Sequence, residues 1–309
     1  GRPVFWWGAN APEILLLAHL DTVWPLGSYS PIWEVNGDVV RGPGVFDMKA
    51  GFVQALFALK DIAGAADRVA LIATTDEEIG SFASRKLIMD LSAKAKAVLV
   101  LEASLGGKVK TGRKGTAMYK ISVHGLAAHA GLEPEKGVNA TVEVAHIILQ
   151  LSALENTQYG TTVVPTLLKS GNSANTVPDL AVLEIDARSF AQSDLERIDV
   201  TIKSIKPTIS GARLEITGGL NRPPLEPSST KELYERIERV AKEIGMSPLG
   251  CAEVGGASDG NFAAAAGAQV LDGLGAIGGG AHAPSEWLSL KSVEERSALL
   301  HAFIKDLLK

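Results

Sequence analysis

The sequence predicts an α/β protein: a mixed, mainly parallel sheet with helices on both faces, into which a second, α+β domain is inserted. Three short apolar runs, at residues 14–18, 69–75 and 97–101, alternate with helical patterns in the first third of the chain. Continuous apolar runs are typical of parallel strands that are buried on both faces. Strands that alternate with helices indicate a parallel sheet with covering helices.

The elements of this first part follow one another along the chain. The run at residues 14–18 predicts the first strand, and residues 48–62 have apolar side chains at helical spacing. The strand at residues 69–75 is followed by a predicted helix at residues 81–91, for which Ser81 is the expected N-cap. The strand at residues 97–101 completes the series.

The pattern changes near Lys114. The elements predicted from there are a half-exposed strand at residues 117–124, a helix at 138–153, strands at 161–168 and 180–189, a helix from an N-cap at Ser193 to about 205, and a strand at 213–217. This β-α-β-β-α-β order is that of the ferredoxin-like split unit. We therefore assign residues 114–222 to an inserted domain, which a group of prolines follows.

The α/β pattern resumes after the insertion. Residues 230–244 predict a helix, residues 269–274 a strand, and residues 293–308 a helix. We read these elements as a continuation of the first domain. That domain is therefore discontinuous and consists of residues 1–113 and 223–309.

Composition excludes several classes of partner. The 309 residues are 46% hydrophobic and 21% charged, which is ordinary for a globular protein. The net charge of −5 gives no reason to expect nucleic acid or an anionic membrane as partner. No apolar run approaches the roughly 18 residues that a membrane-spanning helix needs. The single cysteine, Cys251, excludes an intrachain disulfide, and we expect it to be a small packing residue.

Six residues have the chemistry of a two-zinc site. Four of them follow closely on predicted strands: His19, Glu77, Glu78 and Glu102. Ligands of an open α/β sheet bind outside the carboxyl ends of its strands, so we expect these side chains to converge. Asp47, at a loop-to-helix junction, and His282, in a glycine-rich loop, complete the set. Histidine and carboxylate side chains are common zinc ligands.

Four of these residues also have a simpler interpretation. Asp47 could be an N-cap, and His282 could be a surface residue. Glu77 and Glu78 could form the solvated acidic start of a helix. Adjacent carboxylates repel each other unless cations neutralise them, and successive residues point in different directions. One glutamate could therefore ligate a metal while the other faces a substrate.

Five segments then match a known family in order. They are Ala-His-Leu-Asp-Thr at 18–22, Gly-Pro-Gly-Val-Phe-Asp-Met-Lys-Ala-Gly at 42–51, Asp-Glu-Glu-Ile-Gly at 76–80, Leu-Glu at 101–102 and Gly-Ala-His at 280–282. Together they resemble the di-zinc peptidase and deacylase family of glutamate carboxypeptidase, acetylornithine deacetylase and succinyl-diaminopimelate desuccinylase. The glutamate carboxypeptidase branch is the most similar, through Glu-Glu-Ile-Gly-Ser-Phe-Ala-Ser-Arg at 77–85. Members of this family normally carry a longer segment before the first strand found here.

The resemblance implies a role for each candidate in the metal site. The first zinc ligands would be His19, Asp47 and Glu102, and the second would be Asp47, Glu78 and His282, with Asp47 bridging. Glu77 would be the general base. Asp21, two residues after His19 on the same side of an extended chain, would orient the imidazole. Cobalt or manganese could take the place of zinc.

The resemblance also implies that the inserted domain is a lid and a dimerisation domain, so that the protein is a homodimer. His129, in Gly-Leu-Ala-Ala-His-Ala-Gly at 125–131, matches a histidine that enters the partner subunit's active site. Asn175 and Arg188 match positions that contact substrate. The loop with Gly255 and Gly256 resembles one that receives a substrate carboxylate. The resemblance assigns no role to Arg113 or Lys114.

The expected function is that of a metal-dependent hydrolase. It would cleave an amide bond to release a C-terminal, Glu- or Asp-like amino acid from an acyl or short peptidyl substrate with a free carboxylate. A deacylase of a basic amino acid such as acetylornithine and a non-catalytic binding homologue stay open. A nucleotide-binding enzyme is disfavoured, because no Gly-x-Gly-x-x-Gly opens a helix after the first strand. We expect a cytoplasmic location, while a periplasmic or secreted one stays open because a signal peptide could have preceded Gly1.

Overall fold

The computed structural model describes residues 2–62 and 64–309. The chain forms two compact units: the first unit is Gly1–Arg113 with Leu225–Lys309, and the second unit is Lys114–Pro224. Arg113 and Leu225, where the chain leaves and re-enters the first unit, are paired there. Each backbone N–H donates to the other's carbonyl oxygen at 3.0 Å.

The strands, in chain order, are β1 (Phe5–Gly8), β2 (Ile14–His19), β3 (Glu34–Asn36), β4 (Val39–Arg41), β5 (Val69–Thr74), β6 (Ala97–Val100), β7 (Val109–Arg113), β8 (Gly115–His124), β9 (Thr162–Ser170), β10 (Leu180–Ser189), β11 (Arg213–Arg222), β12 (Cys251–Val254), β13 (Val270–Leu271), β14 (Gly278–Gly279) and β15 (Trp287–Ser289). The α-helices are α1 (Ala50–Leu59), α2 (Ala65–Arg68), α3 (Arg85–Ser92), α4 (Ala140–Ser152), α5 (Gln192–Ser204), α6 (Lys231–Glu243), α7 (Asp259–Ala265) and α8 (Leu290–Leu307). Among the helices of the described residues, none combines the length and the apolar character that crossing a bilayer requires.

The first unit is built on a five-stranded sheet with the strand order β1-β5-β2-β6-β13. Strands β5, β2, β6 and β13 are parallel, and β1 is antiparallel to β5 at one edge. This confirms the predicted mixed, mainly parallel sheet. Because β2 lies between β5 and β6 in the same direction, the carboxyl ends of all three strands lie at the same edge of the sheet.

Alternation along these buried strands divides the core into two layers. Ile14 and Leu16 of β2 face a cluster to which α1, α6 and α8 contribute, with Phe303 fully buried in it. Leu15 and Leu17 face the opposite cluster, to which α3 and α7 contribute. Every residue of β2 is buried, as the continuous apolar run predicts. The predicted helices on both faces of the sheet are therefore confirmed.

Three local predictions are wrong. Ser81 is not a helix N-cap, since α3 begins at Arg85; its φ is 55° and its buried hydroxyl donates to Asp259 at 2.5 Å. Ser193 does not cap α5, which begins one residue earlier at Gln192. Cys251 is exposed on β12 rather than packed in the core. In the first case, a long-range hydrogen bond to Asp259 takes the serine hydroxyl that a helix end would have used.

Several strands of the first unit are not predicted from the sequence, because they are short or lack an apolar run. All three residues of β3 are exposed, and β14 consists of two glycines. Strand β7 has no apolar run and is ordered by a parallel partner, β12, which lies far along the chain. Pairing over such a distance leaves no local signal in either segment.

The second unit is a four-stranded antiparallel sheet with the order β11-β8-β10-β9. Helices α4 and α5 pack on one face through a single apolar cluster. This confirms the predicted β-α-β-β-α-β order. Strand β11 runs five residues beyond its predicted end, because Gly218 and Gly219 hide its pattern. At Gly218 a Cβ would lie 2.1 Å from the carbonyl oxygen of Met118, so the close strand approach requires glycine.

Candidate metal centre

The parallel strands deliver three candidate ligands to one edge of the sheet. His19 is the last residue of β2, Glu102 comes two residues after β6, and Glu78 lies in a single turn that follows β5. Asp47 comes from an irregular turn before α1, where its peptide bond to Met48 is cis. His282, with φ of 61°, follows β14. Distant parts of the first unit thus converge.

Among the described residues, these five side chains form two groups of three that could hold a metal ion. In the first group, Nε2 of His19 lies 3.4 Å from Oδ1 of Asp47 and 3.6 Å from Oε1 of Glu102. In the second, Nε2 of His282 lies 3.4 Å from Oδ2 of Asp47 and 3.0 Å from Oε2 of Glu78. Asp47 therefore belongs to both groups and offers each a different oxygen.

The donor set fits two divalent cations. Each group supplies one imidazole nitrogen and two carboxylate oxygens, which are ordinary zinc ligands. Three protein ligands leave a coordination position for water or substrate, as catalytic zinc sites do. Nitrogen and oxygen ligands of this kind also accept manganese or cobalt, so the donor set does not select one metal.

The charges of the site shift the pKa values of its members. Burial lowers the pKa of His19, but Asp21, Asp47 and Glu102 outweigh burial and raise that pKa well above its ordinary value. Asp47 raises the pKa of His282 to about 9 against the effect of burial. Burial, reinforced by Asp47, raises the pKa of Glu78 to about 7. Both imidazoles are therefore cationic at neutral pH while no metal is bound.

Asp21 connects the two groups. Nδ1 of His19 lies 3.1 Å from the backbone oxygen of Asp21 and 3.4 Å from its Oδ1. The other carboxylate oxygen, Oδ2, accepts a hydrogen bond from the backbone N–H of Glu78 at 3.0 Å. The nearer acceptor for the imidazole is thus the backbone carbonyl rather than the carboxylate that the sequence pattern suggests. The carboxylate fixes the turn that carries Glu78.

Glu77 lies beside the two groups and belongs to neither. It opens the turn Glu77–Ile79 and is half-buried. Its charge adds to the larger effect of Asp47 in raising the pKa of His282. It shares this turn with Glu78, a member of the second group.

Glu286 is a site residue that sequence reasoning missed. It is 1% exposed, and its carboxylate accepts hydrogen bonds from the backbone N–H groups of Gly44, Phe46 and Asp47 at 2.9, 2.9 and 3.0 Å. These bonds hold the irregular turn that presents Asp47. A signal was available, because Glu286 lies four residues after His282 in the same glycine-rich segment.

Arg113, for which the sequence suggested no role, is 3% exposed and lies behind Glu102. Its Nε and Nη2 donate to the two oxygens of Asp272 at 2.7 and 2.9 Å, and Nη2 lies 3.5 Å from Oε2 of Glu102. Its Nη1 donates to the carbonyl oxygens of Gly256 and Ala257 at 3.0 and 3.3 Å. The exposed glycine loop that connects β12 to α7 is therefore attached to the ligand Glu102 through one guanidinium.

The other candidates lie in the second unit. His129 is exposed, and its Nδ1 accepts hydrogen bonds from the backbone N–H groups of Gly131 and Leu132 at 3.1 Å each. Asn175 is also exposed, and its backbone oxygen accepts from the residue after His129 at 2.9 Å, so these two candidates are neighbours. Arg188 donates from Nε and Nη2 to Asp186 at 2.8 and 3.0 Å.

Lys114 is the first residue of the second unit. Its Nζ lies 5.5 Å from the centroid of the Phe190 ring, a cation–π contact. Burial, with Arg188 adding to it, lowers the pKa of this lysine. The lysine thus contacts an aromatic ring within its own unit.

Two ligand groups around one shared carboxylate, at the carboxyl ends of parallel strands, are typical of two-metal enzymes, many of which are hydrolases. Residues 15–306 match Peptidase family M20/M25/M40, and the chain belongs to this family. It is therefore a hydrolase of the metallopeptidase and amidohydrolase type.

Relatives agree with this placement. The chain is 31% identical over 312 residues to carboxypeptidase G2 of Pseudomonas sp. (strain RS-16), across 97% of this chain and 75% of that protein. It is 25% identical over 320 residues to a succinyl-diaminopimelate desuccinylase of Sulfurovum sp. (strain NBC37-1), across 96% and 84% of the two chains. A solved tripeptidase from Staphylococcus aureus superposes with a TM-score of 0.79 at 22% identity, over 98% of this chain and 83% of that one. The last comparison supports the fold.

The shared position of Asp47 predicts an asymmetry among ligand variants. We expect Asp47→Asn to weaken zinc binding in both groups by more than about 100-fold, since losing a ligand costs more than losing an outer partner. Glu78→Gln should reduce the zinc content from two ions per chain to one. Metal content after dialysis measures both, with the exposed Asp67→Asn as a control that keeps two ions. One undisturbed site in Asp47→Asn would contradict the sharing.

The raised pKa values predict that zinc affinity depends on pH. A zinc ligand must be deprotonated, so protons on His19, His282 and Glu78 compete with the metal below their pKa values. With the pKa of His282 at about 9 and that of Glu78 at about 7, affinity should increase from about pH 6 to about pH 9. Calorimetry in two buffers of different ionisation enthalpy should show proton release on binding at about pH 7. A flat affinity without proton release would be inconsistent with these shifts.

Proposed function

We propose that the protein is a two-zinc carboxypeptidase or N-acyl amino acid amidohydrolase that releases a C-terminal, Glu- or Asp-like amino acid. The observation that carries this proposal is the position of Asp47, whose two oxygens serve two ligand groups at the carboxyl edge of the sheet. The acidic product is supported by the 31% identity to carboxypeptidase G2 over 97% of the chain.

In this proposal the two ligand groups bind metal, and Glu77 transfers a proton. His19, Asp47 and Glu102 hold one zinc ion, and Asp47, Glu78 and His282 hold the other. When bound, zinc supplies Lewis acidity that polarises a scissile carbonyl and lowers the pKa of water. Glu77, outside both groups, accepts the proton of the attacking water and passes it to the leaving amine nitrogen. Glu286 keeps Asp47 in place through three backbone N–H groups.

His129 is suited to donate a hydrogen bond to the developing oxyanion. Its Nδ1 accepts from two backbone N–H groups, so a neutral ring carries its hydrogen on Nε2. A preorganised donor of this kind is most effective where negative charge develops in the transition state. In a homodimer this donor would complete the partner subunit's site.

Dimerisation through the second unit is supported by its sheet edge. In the described part of the chain, β9 ends the sheet and pairs with β10 alone. Its outer edge therefore offers backbone N–H and C=O groups to another strand, and Val164, Leu167 and Leu168 on it are exposed. Such an edge can pair with the same edge of a second copy.

Two features, one in each unit, are candidates to bind a substrate carboxylate: Arg188 in the second unit, and the loop with Gly255 and Gly256 in the first unit. Arg188 forms a bidentate pair with Asp186 in this structure, so a substrate carboxylate would compete with that residue for the guanidinium. The loop is exposed, and its position is fixed from behind by Arg113. Both features fit recognition of a free carboxylate.

Glu77→Gln separates proton transfer from metal binding. We expect the variant to retain two zinc ions per chain and to lose at least about 100-fold in kcat, because a glutamine cannot carry the proton. Glu253→Gln, an exposed glutamate of β12 in the same unit, is the matched control and should keep wild-type activity. A zinc-loaded Glu77→Gln enzyme with near-normal turnover would remove Glu77 from this role.

A substrate panel tests the proposed specificity. We expect kcat/KM for N-acyl-glutamate, N-acyl-aspartate and dipeptides ending in Glu to exceed that for N-acetylornithine and N-succinyl-diaminopimelate by at least about tenfold. The zinc-loaded wild-type chain is assayed against each compound at equal pH and salt. Preference for a basic amino acid would favour the deacylase alternative, and two bound ions with no hydrolysis would indicate a binding protein.

A further inference from the structure

The guanidinium of Arg113 contacts two parts of the site at once. Its Nη2 lies near Glu102, a residue of the first ligand group, and its Nη1 donates to the carbonyl oxygens of Gly256 and Ala257. Its Nε and Nη2 form a bidentate pair with Asp272. We propose that Arg113 is a positioning residue, which sets the orientation of the Glu102 carboxylate toward the metal and of the Gly255–Gly256 loop toward the substrate.

The two oxygens of Glu102 are divided between different partners. Oε1 lies 3.6 Å from Nε2 of His19, inside the ligand group, while Oε2 lies 3.5 Å from Nη2 of Arg113. Because Arg113 attracts Oε2, the carboxylate presents Oε1 to the group. Outer partners of this kind orient the ligands that touch a metal, and losing one typically weakens metal affinity by about 10- to 100-fold.

The guanidinium is itself fixed, which a positioning role requires. Asp272 is fully buried and also accepts hydrogen bonds from the hydroxyl of Ser258 at 2.7 Å and the backbone N–H of Gly273 at 2.5 Å. Ser258 caps α7 at the end of the glycine loop. A planar fork between two carboxylates and two carbonyl groups is a geometry that arginine supplies and lysine does not.

This inference rests on the proposed function and deepens it. It implies that one residue controls two measurable quantities, the zinc affinity of the first group and the KM at saturating zinc. A residue that only stabilised the fold would change neither quantity in correctly folded protein. Charge alone would act in the opposite direction on zinc affinity, since a nearby cation repels zinc.

Arg113→Lys is the decisive variant, because it keeps the positive charge and removes the planar fork. We expect the zinc affinity of the first group to decrease by about 10- to 100-fold while that of the second group stays within about twofold. At saturating zinc, KM should increase by at least about fivefold with a smaller change in kcat. Calorimetric titration of the metal-depleted full chain with zinc, followed by steady-state kinetics, gives all three values.

Arg236→Lys is the matched control. Arg236 is half-buried on α6 in the same unit, and its Nε and Nη2 donate to the carboxylate and the backbone oxygen of Asp306 on α8 at 2.6 and 2.5 Å. Neither residue belongs to a ligand group. This variant should lower the melting temperature without changing the zinc affinity of the first group. Asp272→Asn weakens the pairing that fixes the Arg113 guanidinium. This variant tests the positioning role if Arg113→Lys does not fold. We expect a smaller loss in the same direction.

The possible results separate the two hypotheses. Wild-type zinc affinity and KM in folded Arg113→Lys would overturn the positioning role, as would an equal loss of zinc affinity in Arg236→Lys. If the wild-type chain bound fewer than two zinc ions, or bound two and hydrolysed no acyl amino acid, the proposed function would fail instead.

Discussion

Repulsion among carboxylates is the constraint around which the first unit is arranged. Asp47 lies within reach of Glu78 and Glu102, and Asp21 and Glu77 are close by. Acidic groups brought together at one edge of a sheet cannot all ionise unless positive charge balances them. Protonated His19 and His282 supply that charge in the metal-free chain, and Arg113 supplies more from behind. Divalent cations would replace these protons on binding. The repulsion that destabilises the metal-free site therefore favours metal binding.

The rigidity of the sheet allows the unit to hold such a charge concentration. Strand β2 is buried along its whole length between β5 and β6, and the ligands follow where these strands end. The loops that complete the site are held by buried acids with several backbone donors. Glu286 fixes the turn of Asp47, and Asp272 fixes Arg113. The apolar core thus supports buried acidic residues, and these residues hold the segments that position the candidate ligands.

The sequence marks the parts of this arrangement that depend on local pattern. His19, Glu78 and Glu102 stand after apolar runs, and the parallel sheet that these runs predict is confirmed. Glu286, Arg113 and Asp272 were missed because their roles depend on partners far along the chain. Ser81 was misread for the same reason, since its hydroxyl contacts Asp259 rather than a helix end. Patterns among neighbouring residues predict the secondary structure and the strand ends. A buried hydrogen-bond network joins residues that are far apart in sequence, so it is identified only in the folded structure.

The pairing of Arg113 with Leu225 has a consequence for how such a chain could have arisen. Two adjacent, paired backbone segments mark the beginning and end of the second unit. The long insertion therefore connects two neighbouring points of the first unit, as the loop of a hairpin does. Because the closure entropy of a loop grows slowly with its length, a whole folded module costs this junction little more than a short turn would. The host can therefore exchange, lengthen or lose the module during evolution while its own core stays intact.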